Sequence, residues 1–220
     1  MVINMARWLI HLRITDELLK VLNISNEEKF VVGSIAPDCG VPLPEGNYNP
    51  PTRITHWGGE NHKANIDYIG FYKDYVKYGS PEKRDFYLGY FTHLITDYFW
   101  SHKVVRPLKA RLGIESFSKN PELTKKIKDN WAELEMRFLC SKGRPKALDI
   151  LKRVDKFPNI YFDFYGTDTI EQKAKFIASF YDEPYHVTDD LSYMSDDGLE
   201  EFIDFTVRKI REIIEEMKKC

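Results

Sequence analysis

Apolar residues along this chain recur mostly at helical spacing. From about Met5 to Leu22, Leu9, Leu12, Leu18, Leu19 and Leu22 mark one helix face, and Asn4 is placed to cap its start. A second helix is predicted from Ser25, Glu27 and Glu28, since acids suit the positive end of a helix dipole, and from the apolar run Phe30 to Ile35. Pro37 stops it, which leaves Asp38 just past its end. Residues 37–53 hold Pro37, Pro42, Pro44, Pro50, Pro51, Gly40 and Gly46, too many breakers for a regular element, so they read as a loop that delivers His56. Asn61 is placed to cap a helix to about Tyr78, and Ser80-Pro81-Glu82 opens the next, to about His102. Asn120-Pro121-Glu122 starts a helix striped by Leu123, Ile127, Trp131, Leu134 and Phe138. Leu199, Ile203, Val207, Ile210, Ile214 and Met217 stripe the last. The aromatic run Phe157 to Gly166 has no partner run to pair with and reads as loop.

This pattern predicts an all-α fold: a single helical domain over residues 1–220, with no repeat, linker or low-complexity tract to divide it. The helix ending near His102 is apolar almost all round. Such a helix has no face to offer water and belongs at the centre of the domain. His93 and Asp97 are its polar intruders.

Composition narrows the class. With 220 residues, 43% hydrophobic and 14% aromatic, the chain can bury one sizeable core. A formal charge of −2 gives no global field toward nucleic acid or an anionic membrane, so no stable nucleic-acid binding is expected. No run approaches the roughly 20 apolar residues that span a bilayer, which argues against integral membrane association. The first apolar stretch is broken by Arg7 and His11, unlike an export signal. Cys39, Cys140 and Cys220 are too few and too scattered for a disulfide framework or a CxxC-type zinc site, so a reducing, cytoplasmic setting is expected.

The candidate chemistry lies in the polar residues set among apolar ones. His93 and Asp97 are four apart and leave the same helix face one turn apart, as two ligands of one ion require. Alone, the pair fits a hydrogen-bonded core histidine and its acid equally well. The balance shifts because His11, Asp38 after Ile35-Ala36-Pro37, and His56 beside Trp57 repeat the theme, and several buried ionisable groups are costly without a cation. Nitrogen and oxygen donors favour zinc, with manganese or iron as alternatives. His102 lies five residues past Asp97, within reach of a neighbouring ion.

Four ordered motifs carry a resemblance over the first half of the chain: Trp8-Leu-Ile-His11, Gly33-Ser-Ile-Ala-Pro-Asp38, Thr55-His56-Trp57 and Gly89-Tyr-Phe-Thr-His93-Leu-Ile-Thr-Asp97-Tyr-Phe-Trp100. The sequence resembles the zinc-dependent phospholipase C family, whose fold group includes zinc-dependent single-strand nucleases. The resemblance implies an all-helical fold with one to three zinc ions, two being favoured here. Asp38, His56, His93 and Asp97 would hold one ion, Asp97 would bridge to a second that His11 also binds, and His102 would belong to a third. Two departures stand out. Exported members use the amino group and carbonyl of an N-terminal Trp as ligands, whereas Trp8 is internal, and no further His lies at the spacing a third ion would want. Asp129 and Glu133 have a suitable spacing but lie opposite the apolar stripe of their helix, so a solvated face is expected for them. His62 and His186 are read as surface residues.

The expected function is metal-dependent hydrolysis of a phosphate ester, with a small-molecule or lipid phosphodiester implied by the resemblance alone. Two ions sharing Asp97 would activate a water and neutralise the ester oxygens, with Asp38 as a ligand that could also accept a proton. The rivals are a single-strand nuclease or nucleotidase, with Tyr48, Trp57, Tyr90 and Trp100 to stack bases but no basic stripe, and a metal-binding protein without turnover. The HD type of phosphohydrolase is excluded, because no His is followed by Asp.

Overall fold

The computed structural model describes residues 6–44, 47–58 and 65–219, and within them the chain is all-α apart from one two-residue ladder. The first helix, α1 (Trp8–Leu19), buries Leu9, Leu12 and Leu18 as the spacing predicts, but Arg7 stands at its N-cap; Asn4 lies outside the described residues. Helix α2 (Glu27–Ile35) starts one residue after the Ser25 signal, because the Asn26 side chain accepts the Lys29 amide at 2.9 Å. A 3-10 turn (Ala36–Cys39) follows directly and carries Pro37 and Asp38.

The proline-rich stretch is more regular than its breakers suggest. Strands β1 (Val41–Pro42) and β2 (Tyr48–Asn49) pair antiparallel, and α3 (Thr52–Thr55) is a single turn that ends at His56. Trp57 then takes a left-handed φ of 53°, which costs a residue with a Cβ roughly 1–2 kcal/mol. Edge-on packing of its ring against Phe71 and Tyr75 offsets that strain. Helix α4 (Tyr68–Phe71) is capped by Asp67, and a π-helical turn extends it over Tyr72–Lys77; the expected cap at Asn61 and the surface placement of His62 fall outside the described residues.

A 3-10 turn at Pro81–Lys83 leads into α5 (Arg84–Trp100), which is buried almost all round. It does not stop at His102: a π-helical turn, Ser101–Val105, joins it to α6 (Arg106–Leu112), which ends at Gly113 in the left-handed conformation. Helix α7 (Pro121–Lys142) and the last helix match their predicted stripes. Between them lie α8 (Lys146–Arg153) and α9 (Thr169–Phe180), and α10 (Asp196–Met217) closes the described chain.

The pairing of α2 with α5 organises the core, and it depends on two glycines. A Cβ on Gly33 would fall within 3.0 Å of the Phe86 carbonyl, and one on Gly89 within 3.0 Å of the Phe30 carbonyl. Backbones this close leave no room for any side chain at the crossing. Hydroxyls inside α5 are satisfied by its own carbonyls: Thr92 donates to Gly89 and Thr96 to Thr92.

The aromatic run at 157–166 is a loop, as expected, folded around one amide. Asn159 donates to the Phe162 and Tyr165 carbonyls and accepts from the Tyr161 and Phe162 amides. Its rings pack on Phe86, Tyr87 and Tyr90, which gives α5 an aromatic wall in place of a partner strand.

Candidate metal centre

Five of the six candidate residues converge where α1, the turn after α2, the end of α3 and the middle of α5 meet. His11, His56, His93 and Asp97 are each 3% exposed or less, and the Asp38 side chain is 13% exposed. Two groups have ligand atoms within 4.8 Å of one another: His11, His93 and Asp97; and Asp38, His56 and His93.

The carboxylate of Asp97 faces both groups. Its Oδ1 accepts the Ala6 amide at 2.9 Å and lies 3.3 Å from His11 Nε2. Its Oδ2 is 3.4 Å from both His56 Nε2 and His93 Nε2. His56 Nε2 is also 3.4 Å from Asp38 Oδ1 and from His93 Nε2. The His11 and His93 rings are stacked at 3.7 Å, nearly parallel.

These separations are long for hydrogen bonds. Both ring nitrogens of His11, and Oδ2 of Asp97, are buried without a hydrogen-bond partner. Orphaned buried groups of this kind call for an explanation. A cation supplies one: ligand atoms held at about 2.1 Å in a tetrahedral shell lie roughly 3.4 Å apart, the spacing seen across this cluster. The residues therefore fit a zinc site in donor type, in spacing and in what they leave unsatisfied.

Outer contacts orient the donors. His93 Nδ1 donates to the Ser34 carbonyl at 2.8 Å, which leaves Nε2 as the free lone pair turned to the cluster. His56 Nδ1 meets the Thr55 hydroxyl at 2.9 Å, and the Thr55 carbonyl accepts from Tyr90. Tyr165 donates to the Ala36 carbonyl at 2.6 Å and steadies the turn that carries Asp38. Burial alone would raise both acids. The imidazoles of His93 and His11 around Asp97, and of His56 and His93 around Asp38, outweigh that burial, so both carboxyls lie below the usual carboxylate range.

His102 is not brought in. It sits on the π-helical turn after α5, its Nδ1 bonded to the Tyr98 carbonyl at 2.8 Å and its ring against Tyr98. Asp129 pairs with Lys125 on α7, as a solvated acid does. The same expectation for Glu133 is corrected: it is 5% exposed and accepts the Val187 and Thr188 amides, with His186, which is exposed as expected, pairing from the surface. The segment before α10 covers that polar face of α7, which helical periodicity does not reveal.

Glu135 was not singled out from the sequence. It accepts Arg7 Nε at 2.7 Å, the Leu9 amide and the Tyr181 hydroxyl, and so anchors the start of α1 beside Asp97. An acid one turn after Trp131, on the apolar stripe of α7, was the available signal.

A cavity of about 200 Å³ opens beside the cluster. Asp38 and His56 line it together with Trp8, Lys173, Phe176 and Phe180.

An all-α chain with a buried cluster of imidazoles and carboxylates open to one cavity defines a candidate metal-dependent hydrolase. The chain belongs to the zinc dependent phospholipase C family, whose model matches residues 10–219. At the level of that family, the match supports a metal-dependent phosphodiesterase with zinc as its metal. No curated protein and no solved structure was found to match the chain significantly. Among the described residues no helix is long and apolar enough to cross a membrane.

Proposed function

We propose that this chain is a zinc-dependent hydrolase of a small or phospholipid-like phosphodiester, with His11, Asp38, His56, His93 and Asp97 holding two zinc ions. The observation that carries the reading is the set of 3.3–3.4 Å separations across the cluster, with His11 and one oxygen of Asp97 buried and unsatisfied. When bound, divalent ions neutralise a phosphate ester's oxygens and make water a nucleophile near neutral pH.

The chain's own residues prepare that chemistry. Asp97 directs Oδ1 at His11 and Oδ2 at His56 and His93, so it would help to hold both ions. Asp38 is partly open to the cavity and lies beside His56, so it would serve as a ligand and is placed to accept a proton. Trp8, Phe176 and Phe180 wall the cavity with rings and limit the water beside the cluster. His102 would serve only a third ion. A cytoplasmic setting belongs to the same proposal, because the free thiols of buried Cys39 and exposed Cys140 suit a reducing compartment.

The test measures zinc by elemental mass spectrometry in protein purified without added metal, alongside hydrolysis of a chromogenic phosphodiester before and after chelation. The expected result is two zinc equivalents, fewer in His93→Ala and Asp97→Asn, with turnover lost on chelation and restored by zinc. One retained equivalent without turnover would make this a metal-binding protein and not a hydrolase. A folded protein that takes up no zinc overturns the reading.

A further inference from the structure

The cavity lining includes a lysine that the metal cluster does not use. Lys173, half-buried on α9, places Nζ 4.8 Å from the centre of the Trp8 ring and 5.4 Å from that of Phe176. The two rings stand edge to face at 5.8 Å, and Phe180 braces Trp8 from another side at 5.6 Å. An ammonium held over two aromatic rings is confined far more than a surface lysine is. Among the described residues no carboxylate pairs with Lys173, whereas Arg7, the other cation on the cavity, is committed to Glu135 at 2.7 Å.

We infer that Lys173 is a specificity-determining residue: it contacts the substituent on the substrate's phosphate, and the cavity takes anionic or neutral substituents in preference to a quaternary ammonium. This rests on the hydrolase reading above and deepens it. Aromatic faces are what a quaternary ammonium would seek, and here they already hold a cation. A choline-like group would have to share those faces with a like charge, whereas a carboxylate or hydroxyl meets a free ammonium. Asp38, the acid on the cavity, is turned to His56 and does not cancel that charge.

The experiment titrates the zinc-loaded full chain by calorimetry with phosphocholine, glycerol phosphate and phosphoglycerate, three soluble phosphomonoesters whose substituents are cationic, neutral and anionic. The parent is expected to bind phosphoglycerate tightest and phosphocholine weakest. The ends of that series should differ by about tenfold, as suits a partly exposed charge that attracts one ligand and repels the other. Lys173→Gln should flatten the order, Lys173→Glu reverse it and Lys173→Arg keep it, all with unchanged zinc content. A merely structural role would move the three ligands together. Tightest binding of phosphocholine by the parent, an order indifferent to residue 173, or no binding of any of the three overturns the inference. Turnover of the matched diesters separates the two readings. The order without turnover sinks the hydrolase proposal alone, and turnover without the order sinks the role of Lys173 alone.

Discussion

Gly89→Ala is the most informative single substitution, because local and tertiary physics assign it opposite signs. In an exposed helix, replacing Gly by Ala stabilises by about 1 kcal/mol. Here the new Cβ would lie 2.9 Å from both the Phe30 carbonyl carbon and the Ser34 amide nitrogen, and closer still to the Phe30 carbonyl oxygen. The obstacles are backbone, so no side chain can swing away, and α2 and α5 must part by roughly 1 Å to restore contact. Overpacking of this kind costs about 1–3 kcal/mol. The same displacement stretches the 2.8 Å bond from His93 to the Ser34 carbonyl beyond hydrogen-bonding reach, and a broken buried bond costs about 1 kcal/mol more. The expected loss, roughly 2–4 kcal/mol, is a large share of a domain's stability. Urea unfolding of the metal-free protein reads it as a lower midpoint. Zinc affinity should fall in parallel, since His93 and Asp97 move away from Asp38. Gly198→Ala is the control: it lies in the first turn of α10, where a Cβ meets its nearest atom at 3.4 Å, and should be neutral or mildly stabilising. A Gly89→Ala protein as stable as the parent would refute the close-crossing argument.

Two further outcomes are expected. Tyr165→Phe removes the donor to the Ala36 carbonyl and should cost about 1 kcal/mol, with a several-fold loss of zinc affinity by competition titration as the Asp38 turn loosens; unchanged affinity would show that the turn needs no support. At high pH, burial and neighbouring phenols push both Tyr87 and Tyr161 up to about 12 from the ordinary 10.0. Because their folded values are raised, the stability they contribute is full below the unfolded value and is lost as pH rises toward about 12. Phenolate absorbance followed alongside urea midpoints should show this, and complete titration at the ordinary value by a still-folded protein would contradict it.

Much of the site was readable from residue types and spacing. Four apart on an all-apolar helix, His93 and Asp97 had to share a face, and His11, Asp38 and His56 announced themselves as polar groups in apolar company. Helical periodicity likewise located α1, α2, α5, α7 and α10, because each buries a stripe against the rest of the chain. The boundaries were harder. The helix through His93 continues past His102 by a π-helical turn that sets Pro107 in the first turn of α6, where a proline is tolerated, and it ends only at Gly113. The proline-rich stretch hides a short ladder and a helical turn that depend on partners elsewhere in the chain.

The sequence by itself determined the helical class, the candidate donors and the shared face of His93 and Asp97, because periodicity and burial act over a few residues at a time. Tertiary structure decided that Gly33 and Gly89 bring two backbones into contact, that His102 stays outside both groups, that Glu133 is covered and that Lys173 shares a cavity with Asp38. Each of those facts depends on segments distant in the chain meeting in space. No local pattern encodes such a meeting, because it is set by how whole helices exclude one another's volume.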